Sequence, residues 1–442
     1  MRKRIISSPA NSNRCSSPCG TGWKNISSHD AARSIFHGAL TASSIPAAFD
    51  RKIRWDSFAL DQYDRIYAIA VGKAALPMLE TLASRLPYPL AGGVCCGPVL
   101  PADRLSGIEY YTGGHPLPNE DSFRSARAAL QLLESAGPRD FIFFLISGGG
   151  SAMFELPLDE KITLEETQVL YKALVGSGAT IAEINTVRKH FSAVKGGRLA
   201  AAARGSGRCS LLLSDVAPRY LDALASGPTL PDTSTVAECR EIVDRYGLRE
   251  RFPATVRAWF DDPDLPETPS LAEGLVEVLL SSDDLLDAAR AMAVSLDYEV
   301  VIDNDCDDWD YADAARYLLG RFEELRSRHR KLCLLSGGEV TVRLNHDHGA
   351  GGRNQQFALA CALSGRDVVV LSAGSDGIDG NSPAAGAIAD PTTVARAKAQ
   401  GFDAESALAR FDAYPLFTAL GDTLITGPTH NNLRDLRILL SP

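Results

Sequence analysis

The chain alternates short, continuous apolar runs with longer amphipathic stretches. A short apolar run bounded by turn residues is typical of a strand buried on both faces, and amphipathic stretches of this length are typical of helices. We predict strands at 65–71, near Gly93, and at 141–146, 209–218, 275–280, 298–302, 331–339 and 367–380. We predict helices at 72–86, 122–135, 164–178, 185–203, 283–296, 309–328 and 349–363. Strands separated by helices predict an α/β protein with largely parallel sheets.

Two stretches interrupt this alternation and suggest how the chain is divided. Residues 1–28 are basic and rich in serine, with no acidic residue before Asp30, which predicts a disordered tail, a transit peptide or a non-native extension. The acidic, proline-rich stretch 261–270 predicts a linker. Because 442 residues suffice for two cores, we expect one domain at 29–262 and a second at 271–442.

Composition excludes several classes of protein. A net charge of -10 argues against a dedicated nucleic-acid binder. No apolar run approaches the roughly 20 residues of a membrane helix, so we expect no membrane partner. The nine cysteines are scattered without zinc-site spacing, which is typical of a reducing compartment, so we expect a cytoplasmic protein.

Five predicted strands end on small and polar residues. These ends are Gly72-Lys73, Ser147–Gly150, Ser214-Asp215, Ser336–Glu339 and Ser372–Asp376. In open parallel sheets, ligands bind beyond the carboxyl ends of the strands. Five such ends in two domains predict facing sheet edges with a cleft between them.

Glycines and cations at these ends predict anion binding. Glycines let backbone N–H groups approach a ligand, so Ser147, Gly148, Gly149, Gly150 and Ser151 are candidates for a phosphate cradle, with a simple tight turn as the alternative.

Lys73 and Arg353 stand where helices begin. A cation there opposes the helix dipole unless an anion binds, so we interpret both as phosphate or carboxylate ligands rather than solvated loop cations. Gly351, Gly352 and Asn354 flank Arg353 and join this candidate set.

Asp215 and Asp376 follow two of the predicted strands. Carboxylates at such positions hold Mg²⁺ or accept a proton from an attacking hydroxyl. An Asx turn or a helix cap is the alternative, and it is favoured for Asp379. Arg188, Lys189, Lys195 and Arg198 add cations beside a Gly-Gly pair; we include Lys195 among the phosphate ligands, although a solvated face is the alternative for this group.

Familiar signatures of other enzymes are missing from the sequence. There is no Walker A sequence, no GxGxxG after a strand and no kinase HRD or DFG, and Gly149–Met153 lacks the last glycine of a hydrolase elbow. The residues alone therefore predict a two-domain α/β protein with an anion-binding cleft, and favour a phosphoryl transferase.

Nine ordered motifs resemble those of class II glycerate kinases, the glycerate 2-kinases with a C-terminal MOFRL domain. They are GKAA (72–75), GGHPLPNE (113–120), SGGGSA (147–152), INTVRKHFSAVKGGRLA (184–200), LLLSDV with ASGPTLPD (211–232), SGGE (336–339), GGRNQQFAL (351–359), SDGIDG (375–380) and TGPT (426–429). The resemblance implies a Rossmann-like N-terminal domain with a largely parallel sheet, a smaller C-terminal α/β (MOFRL) domain, and an active site in the cleft between them. It also implies phosphorylation of D-glycerate at the 2-hydroxyl with Mg²⁺ and ATP, by a monomer or homodimer.

Carried over by position, Lys73 and Arg353 match the family's essential cations, and Asp215 and Asp376 match its acidic positions. The chain departs from the family pattern at 217–220 and at His430-Asn431. Two alternatives therefore stay open: a hydroxypyruvate or tartronate reductase, and a non-catalytic sensor of sugar acids.

Overall fold

A computed structural model describes residues 26–203, 205–214, 218–271, 274–344 and 347–442. Its strands are β1 (Arg65–Val71), β2 (Gly92–Gly97), β3 (Ile108–Thr112), β4 (Asp140–Ser147), β5 (Gly207–Leu213), β6 (Leu275–Leu280), β7 (Glu299–Ile302), β8 (Leu332–Gly338), β9 (Val369–Gly374), β10 (Gly386–Ala389), β11 (Thr423–Leu424) and β12 (Asp435–Leu440).

The α-helices are interspersed with these strands. They are α1 (Ser28–Ala42), α2 (Ile45–Lys52), α3 (Ala75–Arg85), α4 (Glu120–Ser135), α5 (Gly150–Met153), α6 (Leu164–Val175), α7 (Ile181–Phe191), α8 (Arg198–Ala202), α9 (Val236–Arg245), α10 (Ala254–Asp261), α11 (Ser282–Ser295), α12 (Tyr311–Arg326), α13 (Arg353–Leu363), α14 (Thr393–Ala399), α15 (Ala404–Ala409) and α16 (Ala413–Leu420). Short 3₁₀ segments lie at Trp55–Phe58, Leu60–Gln62, Pro218–Ser226 and Arg249–Arg251.

The first sheet has six strands in the order β3-β2-β1-β4-β5-β6, and every neighbouring pair is parallel. Strand β4 is buried along its whole length, with Phe143 and Leu145 in the core on one face and Ile142 and Phe144 in the core on the other. Apolar cores on both faces explain why the strand reads as one continuous apolar run. All carboxyl ends of this sheet meet at one side, which we call the first edge.

The second sheet is mixed, in the order β11-β10-β9-β12-β8-β7. Strand β12 lies between β8 and β9 and is antiparallel to both, so β8 and β9 run in the same direction. Their carboxyl ends and the first residue of β12 form the second edge. The predicted α/β fold with a largely parallel sheet in the first unit is confirmed. The second sheet is not largely parallel, because β10 and β12, neither of which was predicted, run antiparallel to their neighbours.

Two elements cross the division expected at 262 and 271. Strand β6 follows that division but pairs with β5 of the first sheet. Helix α1 precedes the division but packs on α11, β9 and β12 of the second unit, and Ser28 Oγ donates to the carbonyl of Ser441 at 2.9 Å. The two-domain boundaries stay a prediction.

The helix predicted over 185–203 with a break at its Gly-Gly pair is two helices. Helix α7 already ends at Phe191, and α8 begins at Arg198, directly after Gly196 and Gly197, which adopt positive φ angles of 54° and 79°. Across the described ranges, none of the helices is both long enough and apolar enough to cross a membrane. The seven described cysteines are free, buried thiols.

Candidate active site

At the first edge, β1 turns sharply into α3 and carries Lys73 outward. Gly72 has a φ of 107°, and a Cβ there would lie 2.4 Å from the carbonyl oxygen of Ser147. Only glycine fits this close approach. The side chain of Lys73 is exposed, lies across Gly149, and has no carboxylate partner among the described residues. The structure therefore leaves this predicted cation available to a ligand.

The Ser147 hydroxyl is committed to the fold. It accepts a hydrogen bond from the Ala74 N–H at 3.0 Å and donates to the Val71 carbonyl at 3.1 Å. These bonds join the end of β4 to the turn that holds Lys73. The placement of Ser147 supports a positioning role rather than the predicted contact with phosphate.

The glycine loop after β4 forms an open turn. The carbonyl of Gly148 accepts the Lys73 N–H at 2.8 Å, whereas the N–H groups of Gly149, Gly150 and Ser151 find no acceptor among the described residues. Ser151 Oγ lies 2.9 Å from Ser226 Oγ. Free N–H groups beside a lysine are suited to bind an anion.

At the second edge, Arg353 is held by two carboxylates. Its Nε and Nη2 donate to Asp435 at 2.6 and 3.0 Å, and Nη2 lies 2.8 Å from Glu339. Burial opposes ionisation, but Asp435 and Glu339 together raise the pKa of Arg353. The Nη1 nitrogen has no hydrogen-bond partner among the described residues, so one side of the guanidinium stays open.

Asp376 lies beside this cluster without an ion-pair partner among the described side chains. Its Oδ1 accepts the Ile378 N–H at 3.1 Å. Burial and the neighbouring Asp435 raise the pKa of Asp376, while the Arg353 and Lys73 cations oppose that rise. Lys73 of the first edge is therefore close enough to act electrostatically on Asp376 of the second. Arg353 and Asp376 also line the same cavity, described below.

Asp379 caps helix α13, as the alternative interpretation of its sequence predicts. It accepts the N–H groups of Asn354 and Gln355 at 3.0 and 2.9 Å, and burial raises its pKa to about 6. A Cβ on Gly352 would lie 2.3 Å from Asp379 Oδ1. The helix N-terminus and Asn354 are thus satisfied by the protein's own carboxylate, which does not support the predicted phosphate contact of Asn354.

Lys195 lies beneath the first edge and is buried. Its Nζ donates to Glu155 at 2.6 Å and to the Phe154 carbonyl at 3.1 Å, and Tyr171 also donates to Glu155. Burial lowers the pKa of Lys195, and the Glu155 carboxylate opposes that effect. Lys189 is bound in the same way, by Asp222 at 3.1 Å and Asp232 at 3.0 Å. Neither lysine belongs to a solvated face, and the ion pair of Lys195 does not support its predicted contact with phosphate.

Two cavities are large enough to hold a ligand. One, of about 890 Å³, lies between the two units; helices α7 and α9 line one side, and Asp307, Asp308 and Arg434 line the other. The second, of about 710 Å³, belongs to the second unit and includes Gly351, Gly352, Arg353 and Asp376 in its lining. Of the two cavities, the 710 Å³ one contains the predicted residues Arg353 and Asp376, whereas the 890 Å³ one lies between the units.

Asp215, the remaining predicted catalytic and metal-binding residue, lies outside the described residues. Glu339 was noted only as the last residue of a strand end, and neither Asp435 nor His115 was predicted as a site residue. Asp435 directly precedes residues 436–440, which are apolar except for Arg437, so a prediction of β12 would have placed Asp435 at a sheet edge. His115 stands in the motif GGHPLPNE, which contributed only to the resemblance.

Comparison with known proteins identifies relatives of this chain. Residues 31–261 match the domain of unknown function DUF4147, and residues 332–435 match the MOFRL family. D-glycerate 2-kinase of Thermotoga maritima is 37% identical, over 90% of this chain and 96% of that protein. Glycerate 2-kinase of Pyrococcus horikoshii is 36% identical, over 85% and 87%.

Names among the relatives are not uniform. A protein from Agrobacterium vitis, 34% identical over 96% of both chains, has the provisional name hydroxypyruvate reductase. The crystal structure of glycerate kinase from Thermotoga maritima superposes with a TM-score of 0.85 at 34% identity, covering 94% of this chain and 99% of that one. The chain therefore belongs to the glycerate 2-kinase family, in which a DUF4147 domain precedes a MOFRL domain.

Proposed function

We propose that this protein transfers the γ-phosphoryl group of ATP to the 2-hydroxyl of D-glycerate, giving 2-phospho-D-glycerate and ADP. The observation that carries the proposal is that Arg353 and Asp376 line one cavity, while the exposed Lys73 acts on the same Asp376 carboxylate from the other sheet edge. Two cations that act on one carboxylate match the needs of phosphoryl transfer, where positioning and charge neutralisation provide most of the catalysis.

The first edge is the proposed site of glycerate and of the transferred phosphoryl group. Lys73 is exposed beside the free N–H groups of the glycine loop, so it can neutralise charge that develops on the phosphoryl oxygens. Arg353 is fixed by Asp435 and Glu339, with Nη1 left open. A preorganised guanidinium of this kind binds phosphate without further ordering of its side chain.

Mg²⁺ is the proposed cofactor, and Asp376 would hold it together with the nucleotide phosphates. The ion usually binds proteins through one or two carboxylates plus phosphate oxygens and water. Asp376 fits, because its half-buried carboxylate has no cation partner among the described side chains. The described residues contain no cluster of three or more ligands for a metal, so the phosphates would complete the coordination. When bound, the ion would neutralise charge on the phosphates.

The nucleotide base is proposed to lie in the 710 Å³ cavity. One end of this cavity carries Arg353, whereas another part is lined by the apolar side chains of Val340, Val342, Leu344, Ile378 and Phe411. Ile378 is 49% exposed, as expected of an apolar wall that a bound base would cover. Ile378→Glu should raise the KM for ATP at least about tenfold and leave the KM for glycerate within about twofold. Val175→Glu, at another exposed apolar position, is the control.

The test of the function is a reaction of ATP with D-glycerate, coupled to enolase without phosphoglycerate mutase. Formation of phosphoenolpyruvate is expected, because enolase accepts the 2-phosphate and not the 3-phosphate. Consumption of ATP with no enolase signal would contradict phosphorylation at the 2-hydroxyl. A parallel incubation with NADH and hydroxypyruvate tests the reductase alternative, for which nicotinamide oxidation is the required outcome. Binding of glycerate with no ATP consumption would favour the sensor alternative.

The free, buried thiols are consistent with the cytoplasmic location that we also propose.

A further inference from the structure

His115 lies on the first edge and no role has been assigned to it so far. Its ring Cδ2 lies 3.5 Å from the position that a Cβ on Gly149 would occupy. The Cγ and Cε atoms of Lys73 lie 3.1 and 3.4 Å from the same position. The imidazole and the lysine side chain therefore meet over the glycine loop.

The loop that carries His115 is anchored by other residues. The N–H of Gly113 donates to the Gly97 carbonyl at 3.1 Å, and the N–H of Gly114 donates to Ser122 Oγ at 3.1 Å. Asn119 caps helix α4 and donates from Nδ2 to the Thr112 carbonyl at 2.9 Å. These bonds fix the backbone on both sides of His115 without involving its side chain.

The His115 ring has no structural partner among the described residues. It is exposed, and neither ring nitrogen makes a hydrogen bond or an ion pair with any described group. A fixed backbone with an unengaged imidazole beside a lysine is an arrangement suited to a ligand rather than to stability.

The charges around His115 keep the ring neutral near pH 7. Partial burial and the Lys73 ammonium lower the pKa of His115. On helix α4, Glu120 is exposed, and Asp121 accepts the Thr112 N–H and pairs with Arg124. Helix α5 contributes no titratable side chain. A neutral imidazole can accept a proton.

We propose that His115 accepts the proton of the glycerate 2-hydroxyl as that oxygen attacks the γ-phosphorus of ATP. In this step the hydroxyl O–H bond breaks and the new O–P bond forms. The bond from the γ-phosphorus to the β,γ-bridging oxygen breaks, and ADP leaves with that electron pair. The proton on the imidazole then passes to water. This inference rests on the proposed glycerate kinase function.

Asp376 is less suited to this task. It lies at the second edge beside Arg353, where the phosphates and their metal ion are proposed to bind. His115 lies over the glycine loop at the first edge, on the side proposed for glycerate.

The test compares the pH dependence of kcat in the wild type and in His115→Gln. Wild-type kcat should fall as the pH is lowered through the pKa of the imidazole, because the protonated ring cannot accept a proton. His115→Gln should lower kcat by roughly 10²- to 10³-fold, the lower part of the range for general-base catalysis, and should lose that acidic limb. The KM for ATP should stay within about twofold. Added imidazole should partly restore the rate of His115→Ala.

His37→Gln is the matched control. The His37 side chain is also largely exposed, and partial burial and the neighbouring Arg33 cation lower its pKa. It should leave kcat and its pH profile unchanged. If the wild type forms 2-phosphoglycerate but His115→Gln keeps its kcat or its acidic limb, the role of His115 is wrong and the kinase function stands. If the wild type forms no phosphorylated glycerate, the proposed function itself fails. A thermal melt of each variant checks that it is folded.

Discussion

The two sheet edges present their cations in opposite ways. At the first edge, Lys73 is exposed and has no carboxylate partner among the described residues. At the second edge, Arg353 forms hydrogen bonds with Asp435 and an ion pair with Glu339. The Lys73 ammonium at the first edge is therefore available to a ligand. At the second edge, the charges of Asp435 and Glu339 hold the Arg353 guanidinium in a fixed position. The partners of a cation, more than its place after a strand, indicate its function.

The largest effect is expected beneath the first edge, at Lys195. Lys195→Met should lower the free energy of unfolding by about 3–5 kcal/mol, because it leaves Glu155 buried without its cation. Urea denaturation measures this change. The double variant Lys195→Met, Glu155→Gln should recover most of the loss. If the single variant keeps wild-type stability but raises a substrate KM tenfold, Lys195 is a ligand after all and the comparison breaks.

Lys73→Ala should have the opposite profile. Loss of an electrostatic contact made in the transition state should reduce kcat by about 10²–10³-fold, or roughly 2.7–4 kcal/mol. The free energy of unfolding should change by no more than about 0.5 kcal/mol, because the side chain is exposed and unpaired. Lys172→Ala, at an exposed lysine of α6, should change neither quantity. Normal turnover in Lys73→Ala would remove this lysine from the active site.

Arg353→Lys is expected to lower the stability of the protein. A lysine keeps the charge but cannot reproduce the two-point contact with Asp435, so the free energy of unfolding should fall by about 1.5–3 kcal/mol. Lys73→Arg is the companion variant, and it should be as stable as the wild type because no partner is lost. Equal stability of all three proteins would contradict the difference drawn between the edges.

The smallest effect is expected at the turn that carries Lys73. Gly72→Ala should lower the free energy of unfolding by at least about 1–2 kcal/mol, since the φ of 107° is unfavourable for alanine and its Cβ would meet the Ser147 carbonyl. Gly137→Ala has open space around its Cβ and should change stability by no more than about 0.5 kcal/mol. Thermal or urea denaturation separates the two.

The sequence predicts the first edge better than the second. Parallel, fully buried strands such as β4 leave continuous apolar runs, so their ends and the Gly72-Lys73 turn can be located directly. The second edge depends on β12, a later segment that inserts between β8 and β9, and a local pattern does not show such pairing. Arg353 was predicted, but Asp435, which fixes it, was not.

The sequence pattern also did not show which charged side chains are buried. Lys73 follows a glycine and Lys195 precedes one, so the two lysines look alike in the sequence. Lys195 contacts a buried carboxylate, whereas Lys73 faces solvent. The partner Glu155 is 40 residues away along the chain, so no local signal distinguishes the two lysines. Asp379 was interpretable as a cap, but the helix that it caps begins earlier in the sequence, at Arg353.

The position of β12 between β8 and β9 also has a consequence for folding during synthesis. A growing chain can complete β8, β9 and helix α13 well before residues 435–440 leave the ribosome. Until then Arg353 lacks its fixed partner, and helix α1, made at the start, lacks part of the surface on which it packs. The second sheet of a nascent chain should therefore stay incomplete until late in synthesis. Phosphoryl transfer should begin only after β12 has paired with β8 and β9.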